Sequence, residues 1–124
     1  MSVETLKENA MESILDSVKA MLGITPEQTH FDQDIIMHIN SVFVILQQIG
    51  VGPKEGFTIT DSSATWDEYI NGNVNLQMVK SYMGLRVKLL FDPPTSSGYM
   101  DCIKQQIAEF EWRMYASANP DNTF

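Results

Sequence analysis

The chain carries a single cysteine, Cys102, among its 124 residues. One thiol forms no internal disulfide, so the fold must rest on its core, and such usage fits a reducing compartment. Histidine is nearly as scarce, at two residues, which leaves few imidazole nitrogens for a metal. Basic residues number 8 against 16 acids, giving a formal charge of −8. A chain this acidic has no general attraction for a phosphate backbone. No glycine-rich phosphate loop and no nucleophile signature occurs, so the residues point to no enzyme and to no cofactor. The opening residues, Met1 to Glu12, are polar and charged rather than basic and then apolar, and no signal peptide is expected. Charge is missing altogether between Ile35 and Pro53. That run still carries His38, Asn40, Ser41, Gln47 and Gln48 and closes on Gly50, Gly52 and Pro53. A bilayer demands about 20 unbroken apolar residues, so a buried helix is the better reading.

What is present is amphipathic helix. At 44% hydrophobic residues the chain has enough apolar surface for a core without metal or cross-link. Thr5 and Glu8 have capping-box spacing, and Met11, Ile14, Leu15, Val18, Met21 and Leu22 follow at helical period to a closing Gly23. Thr25-Pro26-Glu27-Gln28 reads as one helical turn, with Gln28 placed to reach back and cap. Asp32 reads as the cap of a central helix over Gln33–Gln48, whose stripe is Ile35, Ile36, Ile39, Val42, Phe43 and Leu46. A fourth helix runs from Leu76 to Leu90 with two apolar faces, Leu76, Val79, Met83, Val87 and Leu90 on one, Met78, Tyr82, Leu85 and Leu89 on the other. Pro93 and Pro94 end it. A fifth runs from Ser97 to about Ala116, with the 3-4-3-4 seam Met100, Ile103, Ile107, Phe110 and Met114. Between them, residues 51–75 form a long loop or short β-hairpin: Phe57-Thr58-Ile59-Thr60 alternates like a strand, and Thr65-Trp66-Asp67-Glu68 is a second capping box opening a single turn. The expected fold is mainly α, a bundle of four to five helices over 1–118 with a tail at 119–124. That tail is expected to order only on assembly.

The chemistry-bearing groups are few. His30, Asp32, Asp34 and His38 form the best metal candidate by spacing, but Asp32 is needed as a cap and the expectation is no metal. The carboxylates of Asp67/Glu68 and Glu109/Glu111 are near neighbours in sequence and read as a charged solvent face. Cys102 has no nearby His or Lys to activate it and reads as a packed thiol. Residues 76–98 hold Lys80, Arg86 and Lys88 against Asp92 alone. This is either a solvated basic face or a strip aimed at an acidic patch on a partner. Trp112 and Tyr115 lie off the seam, so they stack on a base or partner or else close the core against the first helix.

Several stretches resemble the head–tail connector, or head-completion adaptor, proteins of tailed bacteriophages. They are Leu22-Gly23-Ile24-Thr25, Phe31 to Ile36 with Ile39-Asn40, Gly50-Val51-Gly52, Ala64-Thr65-Trp66, Lys80-Ser81-Tyr82, Phe91-Asp92-Pro93-Pro94 with Ser96, and Glu109 to Arg113. The likeness covers Leu15 to Arg113 and rests on order and spacing more than on any one motif. It implies a structural virion protein at the head–tail junction, made in the bacterial host cytoplasm and not associated with membrane. The implied assembly is a ring, commonly of about twelve copies, beneath the portal protein and above the stopper or tail-completion protein. Such a ring extends the channel through which genomic DNA passes without sequence-specific binding. By the same resemblance, portal contact is assigned to Trp112, Arg113, Tyr115 and Phe124. Subunit–subunit contact is expected from Phe57, Ile59, Trp66, Tyr82 and Arg86. The residues alone also fit a small intracellular helical module that binds a partner without catalysis.

Overall fold

Ser13 starts the first helix by chemistry that the sequence duplicates upstream. Its hydroxyl accepts from the Asp16 amide at 3.2 Å, a side-chain cap, and α1 spans Ile14–Met21. The computed structural model describes residues 11–70 and 75–119. Thr5 and Glu8, read as an earlier cap, lie outside the described residues. Met11, placed in the apolar stripe from sequence, precedes the helix and is exposed. The reason is a competing set of backbone bonds. Ile14 N–H donates to the Ala64 carbonyl and Trp66 N–H to the Glu12 carbonyl, so this stretch pairs with residues 64–66. Gly23, at φ +79°, closes α1 as expected: Ile24 N–H donates to Lys19 and Gly23 N–H to Ala20.

Residues 25–28 form a turn instead of a helical one, although Gln28 does reach back to accept from Thr25 N–H at 2.9 Å. The central helix, α2, spans Asp32–Ile49. Its cap residue is Phe31, and Asp32 is already helical because its carboxylate is drawn to Lys19. All six residues of the expected stripe are buried. A single turn, α3, covers Trp66–Tyr69. Helix α4 spans Leu76–Phe91, with Asn75 capping the Met78 amide, and α5 spans Ser97–Ala118, with Ser96 capping Tyr99. The Asp92-Pro93-Pro94 joint turns the chain between them. Ile103, Ile107 and Met114 of the α5 seam are buried, each fully buried apolar side chain being worth roughly 1.5–3 kcal/mol. The fold is thus mainly α, a small bundle in which α2 packs most extensively on α4 and also meets α1 and α5.

No strand is present among the described residues. Phe57–Thr60 does alternate, with Phe57 half-buried, Ile59 buried, and Thr58 and Thr60 exposed. What it lacks is a strand partner, and one side chain replaces it. Asn40 Oδ1 accepts from Ile59 N–H at 2.8 Å and Asn40 Nδ2 donates to the Ile59 carbonyl at 3.0 Å. Above this clamp, Phe43, Phe57, Trp66 and Tyr69 form an aromatic cluster, with Phe43 and Tyr69 centroids 4.7 Å apart. Trp66, expected to be exposed, is fully buried there and donates from Nε1 to Ser17 Oγ at 2.9 Å. Gly52 lets the loop close over the cluster. It sits at φ +87°, and a Cβ there would lie 2.6 Å from the Tyr69 ring.

Candidate functional site

The expected basic strip is not a surface of free cations. Lys80 is buried and pairs with Glu12 at 2.7 Å. Arg86 on α4 pairs with Glu111 on α5 at 2.5 Å, and Lys88 lies 3.7 Å from Asp92. Lys19, with its side chain only 1% exposed, lies 2.8 Å from Asp32 Oδ1 and donates to the Pro26 carbonyl at 3.1 Å. Asp32 Oδ1 is buried, and the Lys19 ammonium is the partner that offsets its charge. On α5, Arg113 and Glu109 form the four-apart pair read from sequence. Five of the chain's eight basic residues are therefore paired with carboxylates of the same chain; Lys19 and Lys80 are buried, whereas the Arg113 pair lies on the surface. Each pair takes one acid with one base, so the charge outside these five pairs is still −8, three bases against eleven acids.

Arg86, Tyr82 and Glu111 make one network. Tyr82 Oη donates to Glu111 Oε2 at 2.7 Å, and Arg86 Nε donates to Tyr82 Oη at 3.2 Å. Burial opposes ionisation of Glu111, but the bonds from Arg86 and Tyr82 outweigh it and hold the carboxyl below its ordinary value of 4.5. Burial, with the bond to Glu111 adding to it, raises the Tyr82 phenol well above 10.0. As pH falls, the unfolded chain takes up the Glu111 proton before the folded one does. The network's contribution is therefore whole above about 4.5 and is lost as pH falls through the lower folded value. Glu111→Gln is expected to flatten that part of the acid profile, measured as Tm between about pH 3 and pH 7. An acid slope identical to the parent's would take this network out of the account.

The other singled-out residues divide clearly. Ile59, Trp66 and Tyr82, expected at a subunit contact, are core residues of the single chain, and Arg86 is committed to Glu111. Phe57 is half-buried in the aromatic cluster. Their apolar or charged character, which suggested a partner, is satisfied within the fold. Trp112, Arg113 and Tyr115 are exposed on α5, Trp112 by 64%, so the two aromatics do not close the core against α1. Phe124 lies outside the described residues, as do all of 120–124. Asn119, counted with the tail from sequence, ends α5 and donates to the Ile49 carbonyl at 3.1 Å.

Cys102 is exposed rather than packed. Among the described residues no three of His, Cys, Asp and Glu come together as a metal site, and Asp32 is held by Lys19 instead of by His30 or His38. Glu109 and Glu111 point to different partners, Arg113 and Arg86, so they form no catalytic pair. No described helix is long and apolar enough to cross a membrane.

Two surface features had no clear signal in the sequence. One is a groove of about 830 Å³ between α1, α4 and α5, with Met21, Gly84, Leu85 and Phe110 along it and Lys88, Glu109 and Arg113 at its edge. Met21 lies over Gly84, where a Cβ would meet its sulfur, so glycine is what leaves room for the thioether. The other is the outer side of α2, where Met37 and Val44 are 58% and 51% exposed beside a shallow hollow reaching Thr58. Both are features of shape, and neither brings titratable groups together as a reactive cluster. The class the fold defines is a small, mainly α-helical bundle.

The match to known families agrees. The family model for the phage connector protein covers residues 14–121, and the chain belongs to that family. It is accordingly a structural protein of the phage head–tail junction, assembling with other head and tail proteins, as the resemblance over Leu15 to Arg113 implied. Neither the curated proteins nor the solved structures provide a match to this chain.

Proposed function

We propose that this connector forms a ring, of about twelve copies by the family's usual symmetry, between the portal and the stopper or tail-completion proteins. In that place it extends the channel for genomic DNA. The observation carrying this reading is the excess of acids over bases, without a patch of unpaired cations on α4. The chain as a whole carries −8, and the cations of α4, Lys80, Arg86 and Lys88, each have a carboxylate partner, so they present no strip of unpaired positive charge. A conduit wall of that sign repels the phosphate backbone and lets it slide.

Portal attachment is assigned to the exposed end of α5, through Trp112, Arg113 and Tyr115, with the tail to Phe124 continuing the contact. Exposed Trp, Tyr and Arg are the side chains that most often dominate protein–protein binding. Native mass spectrometry of the protein with the portal from the same genome is expected to show one connector copy per portal subunit. The double variant Trp112→Ala/Tyr115→Ala, altered only at exposed positions, is expected to weaken attachment by at least about tenfold while folding normally. Attachment at parental strength would move the portal contact elsewhere. A chain that stays monomeric beside an intact portal ring would return the reading to a simple interaction module.

A further inference from the structure

We infer that successive copies join head to tail, the outer ridge of α2 on one copy entering the α1–α4–α5 groove of the next. The inference rests on the ring reading above and assigns the two faces that such a ring requires.

The ridge is defined by spacing and by the absence of charge. Met37, Ser41, Val44 and Gln48 recur at i, i+4, i+7 and i+11, so they lie on one line along α2. All four are exposed and none is charged. Directly opposite, Ile35, Ile39, Val42 and Leu46 are buried in the core. The acids of α2, Asp32 and Asp34, are confined to its first turn. At 1.5 Å per residue the line from Met37 to Gln48 is about 16 Å long.

Charge decides why this face meets another copy. Two chains of −8 repel each other, and like charges brought together across an interface are costly. Self-contact is least opposed where exposed acids are missing, which on α2 means the ridge. The groove offers the matching surface. Its charged edge is already balanced, Glu109 with Arg113 and Lys88 with Asp92, so a neutral helix entering it leaves no new charge without a partner. Its floor of Gly84, Leu85 and Phe110 is apolar, and Met21 is a flexible side chain that adapts to what enters. Along α5, from Tyr99 to Arg113, the groove extends about 21 Å, enough for the ridge.

The two faces also lie on different sides of the subunit. On α4 the core residues Val79, Met83 and Val87 share one line, and Ser81, Leu85 and Lys88 lie on the other side of the helix. The groove thus opens away from the α4 core line, while the ridge faces away from the core on α2. A ring needs such a pair: two unlike patches on one subunit, facing different neighbours.

The test uses one exposed substitution per face, Val44→Glu on the ridge and Ser81→Glu in the groove, with circular dichroism to check folding. Native mass spectrometry then reads assembly with and without portal. Each variant alone is expected to lose self-association by at least about tenfold. Mixed in equal amounts, they are expected to form a heterodimer that cannot extend, because the intact groove of one accepts the intact ridge of the other. Parental assembly by both variants would overturn the face assignment while leaving the ring intact. Loss of assembly without a heterodimer in the mixture would overturn the head-to-tail geometry. A parent chain that stays monomeric on and off the portal would overturn the ring itself, and this inference with it.

Discussion

Replacing Asn40 with leucine is expected to destabilise the protein by about 2–4 kcal/mol and to loosen residues 53–64 first. The volumes are similar, so little of the loss comes from a cavity. It comes from Ile59, whose N–H and carbonyl both rely on the Asn40 amide at 2.8 and 3.0 Å. Ile59 is buried, and its backbone groups would lose their partners without gaining water. Each unsatisfied buried group costs roughly 1–3 kcal/mol. Asn40→Asp keeps the acceptor but sets a charged oxygen against the Ile59 carbonyl, so a loss of similar size is expected there. Urea unfolding should show a lower midpoint at unchanged slope for Asn40→Leu, and hydrogen exchange should show faster exchange of the Ile59 amide. A midpoint equal to the parent's would mean that the aromatic cluster alone holds the segment in place.

Lys19→Met is the second large effect, expected near 3 kcal/mol. Methionine keeps the stem packed between α1 and α2 but leaves Asp32, 21% exposed, without its cation. Removing one member of a buried pair is worse than removing both, because the survivor's charge is then unbalanced. The double variant Lys19→Met/Asp32→Asn is therefore expected to recover about half of the loss or more. The comparison of the three variants by thermal or urea unfolding forms a complete cycle with the parent. Additive losses in the double variant would show that Lys19 acts through packing and the Pro26 carbonyl, and not through Asp32.

These two residues also mark where the sequence is legible and where it stops being so. Patterns that depend on near neighbours were readable: the α2 stripe, the Gly23 stop, the proline joint and the α5 seam all follow from periods of three to four residues. The alternation in Phe57–Thr60 is real, with Ile59 turned inward and Thr58 and Thr60 outward. Its pairing was not legible, because the partner is an Asn side chain 19 residues away and not a strand. The non-helical stretch before Ile14 had no local signal for a similar reason, since residues 64–66 pair with the backbone there. Trp66 looked exposed beside a capping box, but its Nε1 partner, Ser17, is 49 residues distant. The basic strip was counted within residues 76–98, while the acids that neutralise Lys80 and Arg86 stand 68 and 25 residues off. Local chemistry names the elements; the contacts between elements decide which side chains remain available to a partner. The groove is legible only in three dimensions, because three helices contribute to it.

The burial of Lys19 and Lys80 in ion pairs has a consequence for how ionic strength acts on this protein. Pairs such as Lys19 with Asp32 are shielded from solvent, and dissolved ions screen them little. The exterior acids are fully within reach of solution, where the Debye length is about 8 Å in physiological salt. Raising salt therefore leaves the subunit's architecture nearly untouched while lowering the repulsion between approaching copies. Salt becomes an association promoter, the reverse of its effect on proteins that hold nucleic acid through lysine and arginine.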